Sequence, residues 1–204
     1  MNKKQKVYYA NLGNMGDQLN KLIIEKLFGY PVVRHTYLTG NISGIGSGLG
    51  QFTLHGNMIM RCAERFFGML FPNVTIWGSG FYRYQKKDFK FYRRNTKFAA
   101  VRGELSKQRV EAVLGHHISA VTADAGILAP YLFDEPIEKK YKVGIIPHMN
   151  ELTGRDWEFL EKVRDHYDNS IIINVTDDPL QVVRQIAECE VIISSSLHGL
   201  IVAD

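Results

Sequence analysis

Three short apolar runs near the end of the chain limit what it can fold into. They are Tyr141-Lys142-Val143-Gly144-Ile145-Ile146-Pro147, Ser170-Ile171-Ile172-Ile173-Asn174-Val175 and Glu190-Val191-Ile192-Ile193-Ser194. Each is too short for a helix and rich in β-branched residues, which marks a buried strand. Helical patterns fill the gaps. From Thr153 to about His166, Trp157, Phe159, Leu160 and Val163 are placed on one helical face. Asp177 or Asp178 can cap the next helix, with Pro179 in its first turn and Leu180, Val183, Ile186 and Ala187 inward. Strand, helix, strand, helix, strand at this spacing demands a parallel sheet with crossover helices.

The earlier part reads the same way. Val7-Tyr8-Tyr9-Ala10 is a strand, Asn11 to Gly16 a turn, and Asp17 to about Phe28 an amphipathic helix. A glycine-rich stretch runs from Gly40 to Gly50, followed by a helix from His55 to about Phe71. Val74-Thr75-Ile76-Trp77 and Phe98-Ala99-Ala100-Val101 are strands, a helix starts near Glu104, and Ala120-Val121-Thr122 leads to Asp124. The charged stretch from Asp134 to Lys140 is the best linker. It divides residues 1–136 from residues 137–204.

At 204 residues the chain has room for one large domain or two small ones. Lys and Arg number 25 against 21 Asp and Glu, a net charge of +4. That excess suits anion handling but is too small to imply nucleic acid. Cys62 and Cys189 stand far apart, outside any CxxC pair, and both are expected to be buried small hydrophobes. No apolar signal region follows the basic N-terminus, and no run approaches the ~18 apolar residues of a membrane span. A cytoplasmic protein is expected.

Ligands of parallel sheets bind outside the carboxyl ends of the strands. Polar residues crowd those positions here: Asn14 and Asp17 after the first strand, Gly46 and Ser47 in the glycine-rich stretch, Ser79 after Trp77, Arg102 after Val101, Asp124 after Thr122, and His148 after Pro147. The Gly44–Gly50 spacing fits neither a dinucleotide fingerprint nor a P-loop. It serves as a flexible loop or brings backbone N–H groups close to a phosphate. Ser194, Ser195 and Ser196 precede a new helix carrying His198 in its first turn, an arrangement that can hold an anion or simply cap the helix. Arg102 can form a bidentate pair with a carboxylate or phosphate, or cover the sheet edge. Asp17 can equally serve as first-turn helix charge, and His148 is an acid–base group or a loop residue. His116-His117 lacks a metal-ligand pattern, and no metal is expected. Residues 83–97 interleave Arg83, Lys86, Lys87, Lys90, Arg93, Arg94 and Lys97 with aromatics, which suits a solvated face, an anionic membrane surface, a glycan or single-stranded nucleic acid.

Six stretches together resemble the polysaccharide pyruvyl transferase family, in its order and over nearly the whole chain. They are Gly16-Asp17-Gln18-Leu19-Asn20, Gly44-Ile45-Gly46-Ser47, Trp77-Gly78-Ser79-Gly80-Phe81, Val101-Arg102-Gly103-Glu104-Leu105-Ser106, Gly144-Ile145-Ile146-Pro147-His148 and the segment from Ile193 to Asp204 around Ser196-Leu197-His198-Gly199. The resemblance implies two Rossmann-like lobes similar to GT-B glycosyltransferases, with residues 1–136 on the acceptor side and 137–204 on the donor side. It implies phosphoenolpyruvate as donor substrate, no other cofactor, and a sugar or lipid-linked oligosaccharide of exopolysaccharide synthesis as acceptor, with contact at the inner membrane face among the partners allowed. An acid protonates the methylene carbon, an oxocarbenium-like centre forms, two sugar hydroxyls attack in turn and phosphate leaves. By the same resemblance His198 contacts the donor, Arg102 clamps one of its anionic groups, and Asn14 and Asp17 lie on the acceptor side. Asp17 and His148 join His198 as candidate catalytic groups. Gly46, Ser47, Ser79 and Ser194–Ser196 join Arg102 and Asn14 in substrate binding. Some members carry Arg directly before Leu-His; here Ser196 stands there, so hydroxyls and N–H groups take over that contact.

Two other readings remain open at this stage. One is a GT-B-like glycosyltransferase using a nucleotide sugar. The other is a non-catalytic binder of nucleic acid or an anionic surface through residues 83–97. A second lobe of this type needs more elements than residues 141–204 provide, so a truncated chain is expected.

Overall fold

The computed structural model describes residues 3–54, 56–82 and 91–204. It divides into two compact units: residues 1–10 with 24–125, and residues 11–23 with 126–204.

The first unit holds a six-stranded sheet of β1 (Gln5–Tyr8), β2 (Val32–His35), β3 (Ile42–Ser43), β4 (Asn73–Ser79), β5 (Asn95–Val101) and β6 (Val121–Thr122). The spatial order is β2-β1-β3-β4-β5-β6, and every pairing is parallel. Its helices are α1 (Met15–Phe28), shared between the units, α2 (Met58–Leu70) and α3 (Glu104–Leu114). One face of β4 and β5 carries Val74, Ile76 and Val101 into a core with Leu49, Phe52, Leu54, Tyr92 and Val110. Gly115 ends α3 in the left-handed conformation, a common helix stop.

The second unit holds β7 (Tyr141–Ile146), β8 (Ser170–Ile172) and β9 (Cys189–Ser194) in the order β8-β7-β9, again all parallel. The crossovers are α4 (Gly154–His166) and α5 (Pro179–Ala187), and α6 (Leu197–Ala203) follows β9. Asp178 caps α5 by accepting from the N–H groups of Leu180 and Gln181, each at 3.1 Å, with Pro179 in the first turn. The α/β reading therefore holds in both units. Among the described residues, no helix is long and apolar enough to cross a membrane.

Several details differ from the sequence reading. Phe159 is mostly exposed, and Val182 joins Val183 and Ile186 as the buried face of α5. Cys62 is exposed on α2, because the side of α2 turned inward carries Glu64 and Gly68. Cys189 is buried, but it opens a strand, and burial pushes its thiol pKa up to about 11. Of the basic aromatic segment, residues 83–90 lie outside the described residues. Arg93 is no surface cation. It is 3% exposed, and its Nη1 donates to the carbonyls of Tyr37 (3.1 Å) and Gly40 (2.7 Å) while Nη2 donates to that of Asn73 (2.7 Å). Those carbonyls belong to the chain before β3 and to the first residue of β4. A binder built on Arg93 loses one of its cations for that reason.

Replacing Arg93 with Met should lower the unfolding free energy by about 3 kcal/mol, since it strands three carbonyls that water reaches poorly. Urea denaturation of the variant checks this, and Arg93→Lys should recover only part of the loss.

Candidate functional site

Parallel strands bring all their carboxyl ends to one edge, and in each unit the predicted polar residues gather there. In the first unit β3 ends at Ser43 and β4 at Ser79, both buried. Ser79 donates its hydroxyl proton to the Gly44 carbonyl, so the 2.9 Å contact with Ser43 has Ser43 as donor. Gly46 accepts from the N–H of Gly80 at 2.9 Å, and Leu49 N–H donates to the Gly80 carbonyl at 3.1 Å. The glycine-rich stretch is thus an ordered loop laid across the end of β4.

Arg102 follows β5 on this edge. Its Nε donates to Asp124 Oδ2 at 3.0 Å, and its Nη1 donates to Ser47 Oγ at 3.2 Å. The Asp124 side chain is 3% exposed, so the pair sits in a weakly screened environment. Nη2 is buried and has no hydrogen-bond partner among the described residues. Arg102, Ser47, Gly46 and Ser79 are therefore neighbours, held by backbone bonds that include Arg102 N–H to the Ser79 carbonyl at 3.0 Å.

The second unit gathers the remaining candidates. The loop before α1 belongs to it, tied in by Met15 N–H to the Val175 carbonyl at 2.7 Å. Asn14 Oδ1 accepts from Asp17 N–H at 3.0 Å, and Asp17 Oδ2 accepts from Leu12 N–H at 2.8 Å. Asp17 is buried; its Oδ2 also accepts from Asn14 Nδ2 at 3.4 Å, and these bonds fix the Gly-Asp loop at the start of α1. Gly16 lies directly against His198. A Cβ on residue 16 would stand 2.3 Å from His198 Nδ1, so only glycine leaves room for the ring.

Beyond β7 and β9 the backbone is held by side chains. Ser194 Oγ contacts the carbonyls of Ile146 and Ser196, each at 2.9 Å, and accepts from Ser196 N–H at the same distance. His148 N–H donates to Ser195 Oγ and to Glu151 Oε2, each at 2.8 Å, and Ser195 donates to Glu151. His148 Nδ1 accepts from Asn150 N–H at 3.2 Å, which puts the proton of the neutral ring on Nε2. Ser196 opens α6 without a side-chain capping bond. Among the described residues no cluster of three or more His, Cys, Asp or Glu could hold a metal ion.

Glu151 went unread in the sequence, although a Glu three residues after the residue that starts a helical turn is the spacing of a capping box. The Ser195 hydroxyl, then the His148 N–H, hold its carboxyl below the ordinary glutamate range. A depressed folded pKa contributes stability above the unfolded pKa, and this is lost as pH falls through the folded value. Carbon-13 titration should place Glu151 below an ordinary glutamate, and Ser195→Ala should return it upward. Gly16→Ala should displace the His198 ring and shift its imidazole resonances. Helix propensity alone would favour the alanine by up to about 1 kcal/mol, so a loss of stability in this variant would also report the clash.

No solved structure matches this chain. A curated relative, the uncharacterized protein L143 of Acanthamoeba polyphaga mimivirus, is 28% identical over 208 residues, covering 96% of this chain and 62% of that protein. The chain thus spans less than two thirds of that relative's length. The family model for polysaccharide pyruvyl transferase matches residues 14–204, which takes in every candidate residue described above. The chain belongs to the polysaccharide pyruvyl transferase family.

Proposed function

We propose that this chain transfers pyruvate from phosphoenolpyruvate to two hydroxyls of a sugar, forming a ketal and releasing phosphate. The acceptor is an exopolysaccharide unit or its lipid-linked precursor. Kinship with GT-B glycosyltransferases, with residues 1–136 on the acceptor side and 137–204 on the donor side, is part of the same proposal. The observation that carries it is the seating of His198 on Gly16, which joins two of the family's motifs from opposite ends of the sequence.

The chemistry sets the roles. Protonation of the methylene carbon turns the enol phosphate into an oxocarbenium-like centre at the adjoining carbon. The first hydroxyl forms a C–O bond there. Phosphate then leaves with its bridging oxygen, and the second hydroxyl closes the ketal. Of the two hydroxyl protons, one balances the proton added to carbon and the other leaves with phosphate. An imidazole can both deliver and accept a proton, and we assign this to His198, with His148 as the second acid–base group. Asp17 acts through the Gly-Asp loop that seats His198, with Asn14 as its capping partner. Arg102 suits an anionic group because Nη2 still has hydrogen-bonding capacity while Asp124 and Ser47 fix the plane of the guanidinium. Ser196, whose hydroxyl is not used in capping, stands where some family members place a cation.

The test is phosphorus NMR of the purified chain with phosphoenolpyruvate and a panel of acceptor glycans. Phosphate release that depends on acceptor, with a ketal product, is expected. His198→Ala should lower the rate by about 10²–10⁴-fold, the usual worth of a positioned acid–base group. Absence of acceptor-dependent release across the panel, or turnover of a nucleotide sugar instead, overturns the proposal.

A further inference from the structure

Helix α2 is turned inside out. Met58, Ile59, Phe66, Met69 and Leu70 are each more than half exposed, and Cys62 between them is exposed too. Their spacing of three, four and seven residues puts them on one stripe along the helix. The opposite side faces the core through Glu64 and Gly68. Gly68 approaches Tyr92 so closely that a Cβ would stand 2.6 Å from the Tyr92 carbonyl oxygen. The helix is therefore pinned in this rotation by a backbone contact that a roll about its axis would break.

The rim of the stripe is cationic. Arg61 and Arg65 are exposed beside it, while Glu64, the only acid of α2, is 4% exposed. The outward surface of α2 thus combines long flexible apolar side chains with guanidinium groups and no carboxylate. A protein partner of ordinary surface composition would meet this with no charge preference. A bilayer with anionic headgroups answers both features, since acyl chains receive the stripe and phosphates receive the arginines.

We propose that α2 is an interfacial helix that lies in the surface of an anionic lipid membrane, with Ile59, Phe66, Met69 and Leu70 inserted among the acyl chains. Arg61 and Arg65 snorkel to the headgroups. The inference does not rest on the transferase reading, and a failed pyruvyl-transfer assay leaves it standing. If both hold, α2 brings the protein to the surface where a lipid-linked acceptor resides.

Co-sedimentation of the whole chain with vesicles tests it, using phosphatidylcholine alone and phosphatidylcholine mixed with phosphatidylglycerol. Partition into the mixed vesicles is expected, weakened by salt. Ile59→Glu combined with Phe66→Glu should lower it at least about tenfold, because two large apolar side chains no longer insert. Both residues are exposed, so the thermal midpoint should hold; if the pair unfolds, Ile59→Ser with Phe66→Ser gives the same readout. Arg65→Glu should weaken binding to mixed vesicles and leave neutral ones unaffected. Wild-type protein that stays in the supernatant with both vesicle types overturns the proposal. So does partition indifferent to the stripe variants, or a dimer in sedimentation velocity that those variants dissociate without any vesicle binding.

Discussion

Parallel strand pairing is the constraint on which everything else depends. Strands that all run one way must end at one edge, and the carbonyls and N–H groups there have no further ladder to join. In this protein that edge is finished in part by candidate residues. Arg102 N–H takes the Ser79 carbonyl, Ala123 N–H takes that of Val101, and Ser195 N–H takes that of Ile146. The polar side chains beside them are held by the same bonds that end the sheet. Each site is rigid because the backbone under it is already spoken for.

Buried charge is used differently at two places. The donors of Arg93 go to three backbone carbonyls, and it works as a clip between loops. Arg102 pairs with Asp124 and touches Ser47 with a second donor. Breaking a buried ion pair by removing one partner typically costs about 3–5 kcal/mol, because a lone charge is left behind. Asp124 and Ser47 fix the plane of the guanidinium, while Nη2 keeps hydrogen-bonding capacity.

The α/β class, both crossover helices of the second unit and the capping of α5 were legible, because each rests on local periodicity or on a cap within three residues. The edge strand β2 and the two-residue β3 were not. Val32–His35 offers two apolar residues, and Ile42–Ser43 lies inside a glycine-rich stretch, so neither carries a period to detect. The inward side of α2 was likewise hidden, since its wheel alone points the apolar stripe toward the core. Arg93 read as a surface charge because nothing local says that three orphan carbonyls await it. The strand-end rule assembled most of the candidate residues, yet it could not separate Ser79, whose hydroxyl closes a loop, from Arg102, which keeps bonding capacity. That distinction needs partners far away in sequence.

Two helical glycines show how such distant contacts override local preference. Alanine would stabilise either helix by up to about 1 kcal/mol at positions 16 and 68 if the helices stood alone. At Gly16 the missing Cβ is occupied by the His198 ring, and at Gly68 by the Tyr92 carbonyl. In the first case the space admits a group suited to proton transfer. In the second it fixes the rotation of a helix and thereby turns its apolar stripe outward. A contact of a few ångströms on one side of each helix therefore decides what its other residues can reach. What differs between the two positions is whether the close approach seats a side chain or exposes a surface.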